Sequence, residues 1–221
     1  MKRKIITTAD GSKTIQIEDW NEQYHSLHGA VQEAYHVFVK NGLSLFQDRS
    51  LSILEIGFGT GLNAFITLLE SNKCRLTVTY KGVEAYPVLP EELRELDYCT
   101  ALGQSENEEY FLKMHQTPWG HSHEITQNFF LEKQQIDFRE ISDTNVFDLV
   151  YFDAFGARVQ PELWTEEVFE IMFKAMKEGG VLVTYSAKGS VRRAMQAVGF
   201  VVERLPGPPG KREMLRALKQ S

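Results

Sequence analysis

Cysteine is nearly missing from this sequence: Cys74 and Cys99 are the only two in 221 residues, and neither lies in a C-x-x-C pair or near a histidine at metal-ligand spacing. That argues against a disulfide framework or a structural zinc site, and both are read as reduced, packed thiols. His121 and His123 flank no third ligand, so they are read as loop residues and no metal is expected. Long apolar runs are missing too. No segment has the length of a membrane-spanning helix, and the start MKRKIITTADG is basic without the apolar stretch of a signal peptide. The expectation is a cytoplasmic chain with no membrane partner. There is no internal repeat and no low-complexity tract.

Basic charge is also in short supply. With 24 Lys and Arg against 30 Asp and Glu, the chain carries a net charge of -6, which taken alone argues against a generic nucleic-acid binder. The deficit is unevenly spread. From Ser186 onward eight basic residues (Lys188, Arg192, Arg193, Arg204, Lys211, Arg212, Arg216, Lys219) face only Glu203 and Glu213, so one end of an acidic protein is basic. A solvated helix face is the alternative meaning of such a cluster.

What is present is an alternation. At 43% hydrophobic content the chain suits one sizeable domain. Asp10-Gly11 sits between two β-prone arms, a hairpin signal, and YHSLHGAVQEAYHVF has apolar residues at helical spacing. Residues 1–49 are therefore expected to form a hairpin-and-helix extension on a main domain spanning 50–221. That domain reads as strands over 51–56, 77–83, 126–131, 147–152, 180–185, 199–204 and 213–218. Between them fall helices over 61–70, 88–97, 105–116, 136–142, 164–177 and 188–197. This order predicts an α/β fold with a mostly parallel, seven-stranded sheet covered on both faces. Pro206-Gly207-Pro208-Pro209-Gly210 separates the last two strands, which are expected to pair as an antiparallel hairpin at the sheet edge.

The stretch ILEIGFGTGLNAF carries the first chemical signal. In open α/β sheets ligands lie at the carboxyl ends of strands where the order reverses, and the first strand-to-helix turn is such a place. Gly57, Gly59 and Gly61 allow a sharp turn and close backbone approach. The third glycine falls one residue too early for the dinucleotide fingerprint, and the P-loop lysine is missing. Acidic-x-G-x-G-x-G, from Glu55, looks like motif I of class I S-adenosylmethionine-dependent methyltransferases, whose cofactor has no phosphate and carries a positive sulfonium. With it go Phe58 and Thr60 of the same turn. Glu84, at the next strand end beside Ala85, has two oxygens suited to two ribose hydroxyls. Asp137, beside Phe138, is placed to accept from an adenine amino group. Each acid taken singly could instead cap a helix.

FDLVYFDAF is a buried strand ending in an acid between aromatics. Asp153 is the expected substrate-facing residue. An amine acceptor with an ordinary pKa near ~10 is protonated at neutral pH; a carboxylate can capture that ammonium, while a neighbouring sulfonium lowers its pKa. Asp153 would orient the amine and accept its proton, directly or through water; its other reading is a cap for the next turn.

Four stretches together, YHSLHGAVQEAYHVF, EIGFGTGLNAF, DAFGARVQPELW and SAKGSVRRAMQAVGF leading to GKREM, resemble the methyltransferase domain of the bifunctional bacterial enzymes (MnmC type) that make 5-methylaminomethyl-2-thiouridine at the tRNA wobble position. The resemblance implies a Rossmann-like class I fold, S-adenosylmethionine as donor, and N-methylation of a 5-aminomethyl group on wobble uridine. It implies a tRNA partner for the basic end, with Lys188, Arg192, Arg193, Lys211 and Arg212 as matched basic positions. Phe155, Trp164 and Tyr185 are candidate stacking surfaces, Trp164 fitting the core better, and Glu33 matches an acid near the site. Gly156-Ala157-Arg158-Val159 departs from the family's Ala-Pro and following lysine, with the basic residue shifted by one. No second glycine fingerprint follows, so methyl transfer without oxidation is expected, on an amine that upstream enzymes supply separately. Methylation of another amine, aminopropyl transfer of the spermidine-synthase type and a non-catalytic tRNA-binding module are the alternatives.

Overall fold

The computed structural model describes residues 2–220. Strands β1 (Arg3–Thr7), β2 (Lys13–Ile17) and β3 (Glu22–Gln23) form a small antiparallel sheet. The loop at Asp10-Gly11 closes because one Asp10 carboxylate oxygen accepts from Thr8 Oγ1, Ser12 N and Ser12 Oγ, with Gly11 at φ 83°. Helix α1 (Ala30–Ala34) follows and runs on into a π-wound segment, Tyr35–Lys40.

The main sheet is built from β4 (Ser50–Ile56), α2 (Leu62–Ser71), β5 (Thr77–Val83), α3 (Pro90–Glu95), α4 (Tyr98–Ala101), α5 (Glu108–Gln116), β6 (Ser122–Thr126), β7 (Phe129–Gln134), β8 (Phe147–Phe152), α6 (Glu166–Ala175), β9 (Met176–Thr184), α7 (Gly189–Ala197), β10 (Phe200–Pro206) and β11 (Glu213–Lys219). Its strand order is β10-β11-β9-β8-β4-β5-β7-β6. The five strands from β9 to β7 run parallel, while β11, β10 and β6 pair antiparallel. All seven expected strands are present, and β6 adds an eighth. Its sequence, SHEIT, is polar enough for a one-sided edge strand, and only its pairing with β7 makes it one.

Two further differences have local causes. The helix expected over 136–142 is only a 3-10 turn, Phe138–Glu140, which Asp137 caps. The one expected over 88–97 is shortened to α3, Pro90–Glu95, and Asp97 at a left-handed φ of 48° separates it from α4, which lies beyond the expected range.

Strand β8, FDLVYF, is buried along its whole length, as a central parallel strand covered on both faces must be. One face packs α2, α5 and the N-terminal residues Ile15, Ala30, Ala34, Val37 and Phe38. The other packs α6 and α7 through Val168, Phe169, Met172, Val191 and Met195. Cys74 and Cys99 are both free thiols. Among the described residues no helix is long and apolar enough to cross a membrane.

Candidate active site

The sheet order reverses between β4 and β8, since the chain builds outward from β4 through β5 to β7 and then returns to lay β8 on the other side. The register pairs Ile56 with Phe152, so the next residues, Gly57 and Asp153, leave the sheet side by side. Asp153 N donates to Ile56 O at 2.9 Å. Gly57 has φ 86°, and a Cβ there would stand 2.7 Å from the Asp153 carbonyl oxygen. Only glycine permits this approach. A cavity of about 450 Å³ opens above the crevice.

Its walls include Gly57, Phe58, Gly59, Thr60, Glu84, Ala85, Asp137, Phe138, Asp153, Phe155, Glu33 and Lys211. From the sequence-predicted set, Glu55, Gly61, Lys188, Arg192, Arg193 and Arg212 do not line it.

Glu55 corrects the sequence expectation. It lies one residue inside the end of β4, on the same face as Ile53, and is fully buried. A strand residue there points into the helix layer, not past the strand end toward a ligand. Its oxygens accept from Asn63 Nδ2 at 2.9 Å and from the Tyr80 hydroxyl at 2.8 Å. The same Asn63 Nδ2 donates to Asp153 Oδ2 at 2.8 Å. Both amide protons are thus taken by carboxylates, which fixes the flip of the amide and leaves Asn63 Oδ1 as a buried acceptor without a partner. Burial, reinforced by the negative charge of Glu33 and only partly offset by Asn63 and Lys211, raises the Asp153 carboxyl to about 7. Burial likewise holds Glu55 well above the ordinary carboxylate range.

At the next strand end Glu84 Oε2 accepts from Gly59 N at 3.1 Å and Oε1 from Tyr86 N at 2.8 Å. A carboxylate has about four acceptor positions, so two bonds leave it capacity for a ligand. Burial raises its pKa against those bonds. Asp137, beyond the end of the neighbouring strand β7, also lines the cavity, but its carboxylate is forked onto the Arg139 guanidinium at 2.8 and 2.7 Å. That hydrogen-bonded pair holds it down at about 2. The capping alternative weighed for this residue is realised, since Asp137 Oδ1 also accepts from Arg139 N.

Glu33 and Lys211 meet across 178 positions of chain in an ion pair between Glu33 Oε1 and Lys211 Nζ. Glu33 Oε2 accepts from Ser26 N at 2.9 Å, and Lys211 Nζ stands 3.9 Å from the centroid of the Tyr185 ring. Phe155 packs edge-on against Tyr24 and Trp20, with centroids 4.9 and 5.6 Å away. Trp164 is core, its Nε1 donating to Phe155 O at 2.7 Å. Lys188, Arg193 and Arg212 are exposed and Arg192 is half-buried. Arg158 of the departing loop donates to Glu22 Oε2 at 2.8 Å and to the carbonyls of Trp20 and Asn21. It ties the loop after β8 to the N-terminal sheet.

The residues fit a cationic adenosyl cofactor: a glycine turn that a Cβ would block, an acid with spare acceptor capacity at the next strand end, and apolar walls at Phe58, Ala154, Phe138 and Leu163. Residues 106–220 match a family model described as S-adenosyl-L-methionine-dependent methyltransferase. The chain belongs to this family. As a member of it, this methyltransferase takes S-adenosyl-L-methionine as cofactor. It is similar to tRNA 5-methylaminomethyl-2-thiouridine biosynthesis bifunctional protein MnmC of Actinobacillus pleuropneumoniae, 29% identical over 90% of this chain and 32% of the relative. Against the protein of that name in Leptospira interrogans the identity is 30%, over 90% of this chain and 32% of the relative. The methyltransferase thus spans about a third of the length of these curated relatives. The crystal structure of MnmC2 from Aquifex aeolicus superposes with a TM-score of 0.75 at 28% identity, covering 100% of this chain and 71% of that one. Spermidine synthase from Thermotoga maritima, at a TM-score of 0.56 and 14% identity over 97% of this chain and 72% of that one, shares the fold.

Two parts of the methyltransferase's cavity escaped sequence reasoning. The segment from Trp20 to His28 forms one wall, held to the glycine turn by half-buried His25, whose Nδ1 stands 2.9 Å from Thr14 Oγ1 and whose Nε2 stands 3.4 Å from Thr60 Oγ1. Tyr24 to His28 open the first of the four stretches that carry the family resemblance, but within that stretch only Glu33 was expected at the site. Asn63 is the other. It falls two residues after the third glycine, and only the fold sets its amide between two acids. Asn63→Ala strips a donor from both Asp153 and Glu55. Losing such bonds costs about 1–3 kcal/mol for each buried group left unpaired. Thermal melting should fall accordingly, and the acid limb of the pH–rate profile should move above its wild-type position. An unmoved limb would show that Asn63 does not act on Asp153.

Proposed function

We propose that this methyltransferase N-methylates the 5-aminomethyl group of wobble uridine in tRNA, giving 5-methylaminomethyl- or 5-methylaminomethyl-2-thiouridine. The observation that carries the proposal is Asp153: a half-buried carboxyl at the strand end beside the glycine turn, lining the same cavity, with its pKa raised to about 7. Such a group suits an amine that must arrive as a cation and react as a neutral base. The likeness to proteins named for 5-methylaminomethyl-2-thiouridine biosynthesis supports the choice of amine.

When bound, the cofactor supplies a methyl group on a positively charged sulfonium. Glu84 would take the ribose hydroxyls, the backbone of Gly57 to Gly61 would lie against the amino-acid portion, and Asp137 with Phe138 would bound the adenine. Asp153 holds the substrate ammonium by charge, oriented by the Asn63 amide, and receives one of its protons at a carboxylate oxygen. Nitrogen then has a lone pair to form the N–C bond as the S–C bond breaks with its electrons on sulfur. Phe155 lies where a splayed base could stack, the usual mode of recognising a single-stranded RNA base. Lys188, Arg193 and Arg212, exposed outside the cavity, would meet phosphates. The loop anchored by Arg158 would shape the entrance.

The test incubates the protein with S-adenosylmethionine and tRNA carrying 5-aminomethyluridine, then weighs the digested nucleosides. A gain of one methyl on that nucleoside alone is expected. No gain, with cofactor binding intact, overturns the assignment and moves the acceptor to another amine.

A further inference from the structure

Lys211 is the one lysine whose ammonium reaches the cavity from the turn between β10 and β11, among the described residues. Its surroundings are those a primary amine substrate needs. Glu33 accepts from it and is itself only 8% exposed. The Tyr185 ring lies 3.9 Å from Nζ, close enough for a cation–π contact. Asp153 feels the charges of both Glu33 and Lys211.

This cage is assembled without Lys211. Ser26 N fixes Glu33, the Tyr185 hydroxyl donates to Ala154 O at 2.8 Å, and Asn63 fixes Asp153. The three acceptor groups stand on α1 and just past the ends of β8 and β9. Lys211 reaches the cage from a turn on a flexible four-carbon stem, with its side chain 33% exposed. A buried carboxylate left without a cation is costly, so something positive must stand beside Glu33 in the substrate-free chain. Lys211 and an aminomethyl group carry the same head, a primary ammonium on a methylene carbon.

We propose that Glu33, Tyr185 and Asp153 form the subsite for the substrate's ammonium, and that Lys211 fills this subsite until the phosphates of the RNA take up its charge. The inference rests on the amine-methylation reading above and deepens it. Two cations cannot share the cage, so the substrate ammonium enters as Lys211 leaves. An amine that brings no phosphate must displace Lys211 unaided; an amine on RNA offers Lys211 a new partner. The arrangement therefore favours amines that arrive on a polyanion.

The test titrates free 5-aminomethyluridine nucleoside, and separately tRNA carrying it, into wild type, Lys211→Met and Lys211→Arg, and follows binding as well as turnover. If Lys211 fills the cage nine-tenths of the time, vacating it tightens nucleoside binding about tenfold. Lys211→Met should therefore bind the nucleoside about tenfold better than wild type, yet bind the tRNA worse. Lys211→Arg, which can fork onto Glu33, should bind the nucleoside worse than wild type, and it decides the matter alone if Lys211→Met does not fold. Tyr185→Leu should weaken the nucleoside in every background. Nucleoside binding that is unchanged or weaker in Lys211→Met, or unchanged in Lys211→Arg, overturns the proposal. If the binding order holds while no form methylates either substrate, the cage stands and the proposed reaction falls.

Discussion

Asp153→Asn will keep cofactor affinity within about twofold of wild type and lower kcat by about 10³-fold, the middle of the range for a positioned acid or base. The substitution conserves shape, and its carbonyl oxygen can still accept from Asn63 Nδ2, which now reaches Asp153 at 2.8 Å. What it removes is the negative charge and the capacity to take a proton. Calorimetry with S-adenosylmethionine and single-turnover kinetics separate the two effects. Full activity in Asp153→Asn would remove the residue from the chemistry. The wild-type rate should also rise with pH through about 7, where the carboxyl ionises. This carries a stability counterpart. A carboxyl whose folded-state pKa lies above its unfolded value near 3.8 binds its proton more tightly when folded. Its contribution to stability is therefore complete below that unfolded value and is lost as pH rises through about 7. Asp153→Asn should consequently raise the melting temperature at pH 8 more than at pH 4.

Glu84→Ala will weaken S-adenosylmethionine binding by at least about 100-fold, while turnover at saturating cofactor changes little. Hydrogen bonds to a charged group are worth about 1.5–3 kcal/mol each, and two to the ribose hydroxyls account for such a loss. The backbone bonds to Gly59 and Tyr86 would vanish with the carboxylate, loosening the glycine turn itself. Glu84→Gln tests the division, because it keeps one acceptor and substitutes an N–H group for the other. An intermediate affinity is expected from it. Because burial raises the Glu84 pKa, cofactor affinity should also decline on acidification as the carboxylate takes a proton. Cofactor binding equal to wild type in Glu84→Ala would place the ribose elsewhere.

The basic end of the chain divides in a manner its composition did not suggest. Lys188, Arg193 and Arg212 stand exposed, as a surface for phosphates requires, whereas Lys211, one position from Arg212, turns inward to Glu33. The Arg158 guanidinium goes to Glu22 and to the carbonyls of Trp20 and Asn21, and does not line the cavity.

The sequence alone determined the strand–helix alternation, the position of the glycine turn and the acids at strand ends. These are local facts: the period of apolar residues, the conformational freedom of Gly57, and the place where an apolar run such as FDLVYF gives way to Asp153. Only the tertiary structure decided which acids face the cavity. Glu55 and Glu84 look alike in sequence, each at the end of a β-prone run, yet one points into the helix layer and the other lies just past its strand; Glu55 pairs with Gly82, and those two residues of register make the difference. Tertiary structure also decided that Asn63 bridges two carboxylates, that Trp20 to His28 wall the site, and that Lys211 reaches Glu33. Each of these depends on contacts between segments far apart in the chain, and no local pattern encodes them, because their geometry is set by how the sheet orders its strands and where the turns between them land.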